Sequence, residues 1–211
     1  MNLSKANWVV IFLAIIYAVG VWGLNSTSWQ SLFRSVTPVN LSLTAFLLIF
    51  FHEGHNNRIG TFALLCMLLG YSVEVLGVQT GFPFGVYEYH TTLGIKLLDT
   101  PLMIGVNWLI LTYACGMIAQ RFFIPSWKKA LLGAALMVII DFVIEPFAIY
   151  HQLWSWEGGS IPIQNYAAWY VIAFVLLLLF YRLVPPSRNP LVLPIYLLLF
   201  IFFAINNLFI P

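Results

Sequence analysis

Apolar residues in this chain come in long runs, and polar positions are confined to short breaks between them. A run of about 20 apolar residues is long enough to cross the hydrocarbon of a bilayer as a helix. Seven candidate runs are read, at roughly 7–24, 36–51, 59–78, 97–120, 130–150, 166–184 and 190–210. The second is short and polar at its start. Connections are short throughout, so residues 1–211 read as a single transmembrane domain. The pattern predicts an all-α fold: a polytopic membrane helical bundle of about seven transmembrane helices, a multi-pass protein of the cell membrane whose main partner is the lipid bilayer. Residues 1–24 have a basic start and an apolar core, as a signal peptide does. They lack a small-residue cleavage site and are read as a retained first helix.

Composition agrees with that reading. The chain is 62% hydrophobic and 8% charged, with a mean hydropathy of +0.93, whereas an ordinary soluble domain is about 25% charged. The net charge of +2 comes without a basic stripe, so no nucleic-acid partner is expected. Cys66 and Cys115 lie inside apolar runs and read as small buried hydrophobes. The basic residues carry the orientation. With the N-terminus cytoplasmic, that side holds Lys5, Arg58, Arg121, Lys128, Lys129, Arg182 and Arg188, and the other side holds Arg34 and Lys96.

Of seven acidic residues, six lie between Glu74 and Glu157. In the predicted topology Glu74, Asp99, Asp141 and Glu145 fall in the non-cytoplasmic leaflet, capped by loops 79–96 and 151–165. A charged side chain at the bilayer centre costs about 2.5–3.5 kcal/mol, so these groups should face the bundle interior. Asp141 and Glu145, at i and i+4, share a helix face. Two carboxyls so placed in an apolar cavity do not both ionise easily, and the one that keeps its proton can donate it. The alternative is a hydrogen-bonded network that only fixes helix packing.

Aromatics gather beside the acids. Phe82, Phe84, Tyr87, Tyr89, Trp154, Trp156 and Trp169, together with Asn107, Trp108 and Asn165, are candidates to line a substrate. Ring faces attract cations and suit a developing carbocation or a conjugated chain. Trp8, Trp22, Trp29 and Trp127 read as interfacial belt residues. His52 and His55 sit in an HEGH stretch at the opposite end and are expected to be solvated there; alone they make a weak metal site. His90 and His151 lie on the acid side, where either could relay protons. No His-rich cluster, phosphate loop or nucleophile elbow is present, and the last run has no lysine. What remains is redox-free acid–base chemistry on a hydrophobic substrate.

Four stretches, EVLGVQTGFPFGVYEY (74–89), LGIKLLDTPLMIGVNW (93–108), DFVIEP (141–146) and WSWEGGSIPIQNYAAW (154–169), carry a resemblance. Here the chain resembles the integral-membrane carotenoid biosynthesis family that includes the carotenoid 1,2-hydratases and bisanhydrobacterioruberin hydratase. Where that family reads Asp-Pro, this chain has Glu145-Pro146, an acid reaching one methylene further. The resemblance implies addition of water across the terminal C1–C2 double bond of an acyclic carotenoid of the lycopene or γ-carotene type, giving a tertiary alcohol, with no cofactor. On that footing Asp141 or Glu145 is the acid, its partner or Glu74 holds water, and Asp99 and Asn107 orient. Other carotenoid enzymes are the implied partners. Two alternatives stay open: a proton-initiated cyclase of the lycopene type, and a carotenoid-binding protein without catalysis.

Overall fold

The structure, a computed structural model, describes residues 3–54, 56–122 and 125–210. Among the described residues eight α-helices follow one another: α1 (Lys5–Leu24), α2 (Gln30–Ser35), α3 (Thr37–Phe50), α4 (Asn57–Thr80), α5 (Met103–Ala119), α6 (Ser126–Tyr150), α7 (Ile163–Leu183) and α8 (Val192–Asn207). Apart from the short α2, they are the apolar runs. Four of them, α1, α4, α6 and α7, are long and apolar enough to cross a membrane, while α3, α5 and α8 have 14, 17 and 16 residues. Their ends are marked in the sequence. The Asn56 side chain accepts from Arg58 N and Ile59 N at the start of α4, and Gly81, at φ +73°, closes its C-terminus.

The bundle is organised around α5, which is buried along its length from Trp108 to Ala119 and packs against α3, α4, α6, α7 and α8. Because protein surrounds it, α5 is apolar on every side. Outer helices are apolar for a different reason. On α1, Trp8, Phe12, Ile15, Val19 and Trp22 point outward and exposed, a surface suited to lipid and not to water.

One expected boundary is corrected. The run read as starting at 97 opens instead on a hairpin, in which β2 (Lys96–Leu97) pairs antiparallel with β3 (Thr100–Pro101). Leu98 and Asp99 form its turn at φ 50° and 58°, the positive angles that a tight hairpin turn requires. The helix begins only at Met103. A second two-stranded sheet joins the two loops expected on one side: β1 (Tyr87–Tyr89) pairs with β4 (Trp154–Trp156) in the register Tyr87↔Trp156, Glu88↔Ser155, Tyr89↔Trp154.

At the other end, His52 departs from its expected solvated state. It is buried, and its Nδ1 lies 2.7 Å from Tyr113 Oη, which also accepts from Asn189 Nδ2 at 3.0 Å. Burial takes this ring out of water, and Tyr113 supplies the partner that water would have been. His55 lies outside the described residues.

Candidate functional site

On α4, Gly70, Glu74 and Gly77 fall on one stripe, and the glycines on either side of Glu74 let large rings reach its carboxylate. A Cβ at Gly70 would lie 2.5 Å from Trp108 Cγ, and one at Gly77 would lie 2.6 Å from Phe84 Cδ2 and 2.7 Å from Tyr87 Oη. In the space so left, Tyr87 and Tyr89 donate to Glu74 Oε2 at 2.6 and 2.8 Å, and Trp108 Nε1 donates to Oε1 at 2.9 Å. Burial and the adjacent Glu74 push both tyrosines above their ordinary range, so they remain O–H donors.

The second and third carboxyls come from α6. Asp141 and Glu145 are one turn apart, and both are about 2% exposed. Glu145 Oε2 accepts from Trp154 Nε1 at 3.0 Å and Trp156 Nε1 at 2.9 Å, both from the β4 strand. Asn165, in the first turn of α7, donates to Asp141 Oδ2 and Glu145 Oε1, each at 3.3 Å. Strand alternation decides which side chains face in: Tyr87, Tyr89, Trp154 and Trp156 turn to the acids, while Glu88 and Ser155 turn away and pair with each other. The small sheet is thus an aromatic lid, tied down through its ring N–H and O–H groups.

These residues enclose a cavity of about 20 Å³, lined also by Phe84, Ile104, Asn107, Ile144 and Trp169. Among the described residues no Lys, Arg or His lines it, and no three His, Cys, Asp or Glu are grouped so as to hold a metal ion. Its volume has room for one water molecule. Trp169, which lines the cavity, is backed by Trp108, stacked on it with centroids 4.1 Å apart.

Most of the residues expected at the site meet there: Glu74, Asp141, Glu145, Phe84, Tyr87, Tyr89, Asn107, Trp108, Trp154, Trp156, Asn165 and Trp169. Two do not. Asp99 is exposed in the hairpin turn, where it accepts from Gln79 Nε2 at 3.4 Å. Phe82 is 66% exposed outside the cavity. Proximity in sequence to the acids did not carry over, because a hairpin and a loop turn them outward. Ile104 and Ile144, which line the cavity, carried no signal that set them apart from other apolar positions.

His90 and His151 do not line the cavity either. His151 is fully buried just past α6, stacked on Phe147 at 4.4 Å, and neither ring nitrogen is hydrogen-bonded. Burial, with a further push from Arg34, lowers its pKa from 6.5 to about 4. Between those values the unfolded chain binds the extra proton, so this group's contribution to stability is intact above pH 6.5 and is lost as pH falls toward 4. Thermal melting in detergent is expected to drop over that window, and His151→Phe is expected to flatten the drop. An equal pH dependence in both proteins would remove His151 as the cause.

Three buried carboxyls under an aromatic lid, in a bundle with bilayer-length apolar helices, define a membrane protein built around an internal acid site. The chain belongs to the carotenoid biosynthesis protein family, whose model matches residues 35–210, in agreement with the resemblance carried by residues 70–170. It is 28% identical over 138 residues to the bisanhydrobacterioruberin hydratase of Haloarcula japonica, covering 59% of this chain and 45% of that protein. It is also 30% identical over 125 residues to ferric-chelate reductase 1 of Bos taurus, covering 53% of this chain and 20% of that protein. The chain thus spans less than half the length of either curated relative. No solved structure matches it.

Proposed function

We propose that the protein is a carotenoid hydratase that adds water across the terminal C1–C2 double bond of an acyclic end group. The observation that carries this reading is the uneven supply of hydrogen bonds to the three acids. Glu74 and Glu145 each accept from three donors, whereas Asp141 accepts one long bond, shared through Asn165. Donors stabilise a carboxylate. With no cation among the lining residues, Asp141 is the group left to carry a proton.

In the proposed reaction the Asp141 O–H gives its proton to C2, and the π pair becomes the new C–H bond. A tertiary cation is left at C1. The faces of Tyr87, Trp154 and Trp156 and the carboxylates stabilise it in a preformed polar site. Water, held at Glu145 or Glu74, attacks C1. That carboxylate takes the released proton, and exchange through the water that next enters the site returns a proton to Asp141, so the site is reset without a cofactor. The positive-inside bias supports a site in the non-cytoplasmic leaflet of the cell membrane, with the N-terminus inside. Other carotenoid enzymes would supply the substrate or consume the alcohol.

Support comes from the family membership, the hydratase among the relatives and the room for one water beside the acids. Expression in a host accumulating lycopene tests it. Pigment heavier by one water is expected; pigment of unchanged mass but new ring structure would replace hydration by cyclisation, and unaltered pigment would leave a binding protein.

A further inference from the structure

The acid cavity is small, so the hydrocarbon behind a reacting terminus needs space outside it. A second, larger cavity, of about 150 Å³, adjoins it. Ile104, Asn107, Ile144 and Trp154 line both, so they form a common wall between the two spaces. Beyond that wall the larger chamber is mostly apolar, with Tyr17, Thr37 and Asn40 as its polar positions, and most of it comes from elements that do not supply the acids: Ile16 and Gly20 of α1, Phe33 of α2, Leu41 of α3, and Leu199 and Phe202 of α8. Gly20 keeps it open on one side, since a Cβ there would lie 3.2 Å from Phe202 Cε2. It reaches the exterior at Val36, which lines it and is 42% exposed. At the common wall the Asn107 amide makes no hydrogen bond among the described residues, and so meets whatever passes there.

We propose that this chamber binds the hydrocarbon segment next to the reacting end, feeding the terminus past Asn107 to Asp141 while the remaining polyene leaves at Val36 into lipid. A cavity of this size takes a benzene-sized apolar group. A carotenoid is many times longer, so it is held end-on and is not enclosed. The occupant named here rests on the proposed hydratase reading; the chamber and its continuity with the acids do not. Its α1 wall precedes the segment matched by the family model, residues 35–210.

Lycopene retained on the purified protein and hydrated product are measured together for wild type, Gly20→Leu, Ile16→Trp and Asp141→Asn. The chamber-filling variants are expected to lose both by at least about tenfold, the scale on which apolar pockets discriminate. Asp141→Asn is expected to keep bound lycopene and lose product. Phe202→Ala added to Gly20→Leu removes the ring that the new side chain strikes and is expected to restore both signals, and a melting temperature near wild type for Ile16→Trp or Gly20→Leu separates a filled chamber from a misfolded protein. Wild-type binding and product in both filled variants would overturn the chamber. A wild type that binds lycopene without hydrating it, and loses it on filling, would overturn the hydratase reading and leave the chamber standing. A wild type that neither binds nor converts lycopene would overturn both.

Discussion

Asp141→Asn is expected to lower hydration by at least about a hundredfold, within the 10²–10⁴ that a positioned general acid contributes. The substitution is isosteric, and its amide oxygen can still accept from Asn165 Nδ2, which donates at 3.3 Å. Membrane yield and melting temperature should therefore stay near wild type while the transferable proton is gone. Glu145→Gln is a harsher change. Glu145 accepts from two indoles on one oxygen and from Asn165 on the other, and an amide presents an acceptor to only one of those sides. It should lose stability as well as product. Hydration by Asp141→Asn at the wild-type rate would remove Asp141 as the proton source and shift the role to Glu145.

Gly77→Val is expected to cost about 1–3 kcal/mol, as overpacking of a filled interior does, and to abolish hydration as well. A Cβ at that position meets Phe84 and Tyr87 Oη at 2.6 and 2.7 Å. The Tyr87 hydroxyl would have to leave Glu74 Oε2, and a buried carboxylate would lose its shortest hydrogen bond. Gly60→Val on the same helix is the control, because a Cβ there meets nothing within 4 Å. Thermal unfolding in detergent reads the difference. Equal melting of the two variants would mean that the lid is not held through this close approach.

Rare residues in a greasy chain were the readable part of the site. Glu74, Asp141 and Glu145 stood out because a carboxyl within an apolar run must be buried with partners, and the i, i+4 spacing put two of them on one face without any fold. The YEY and WSW stretches were visible beside them as aromatic clusters. Their pairing was not visible, since strand register joins segments 67 residues apart. Asp99 shows the converse. It had the right chemistry and neighbourhood, yet a two-residue turn with positive φ carries it to the surface. His52 looked interfacial because the sequence cannot show that Tyr113 and Asn189 reach the same point.

By itself the sequence determined a helical membrane protein, the approximate places of its apolar helices and the three acids that the fold buries together. These follow from one-dimensional facts: run length against bilayer thickness, and the scarcity of charge. Only the tertiary structure decided which acid lacks donors, that two loops close as a lid, and that α1, α2, α3 and α8 enclose an apolar chamber against the acid cavity. The reason is physical. In a chain this hydrophobic, apolar positions facing lipid, core and cavity read alike, and only packing separates them.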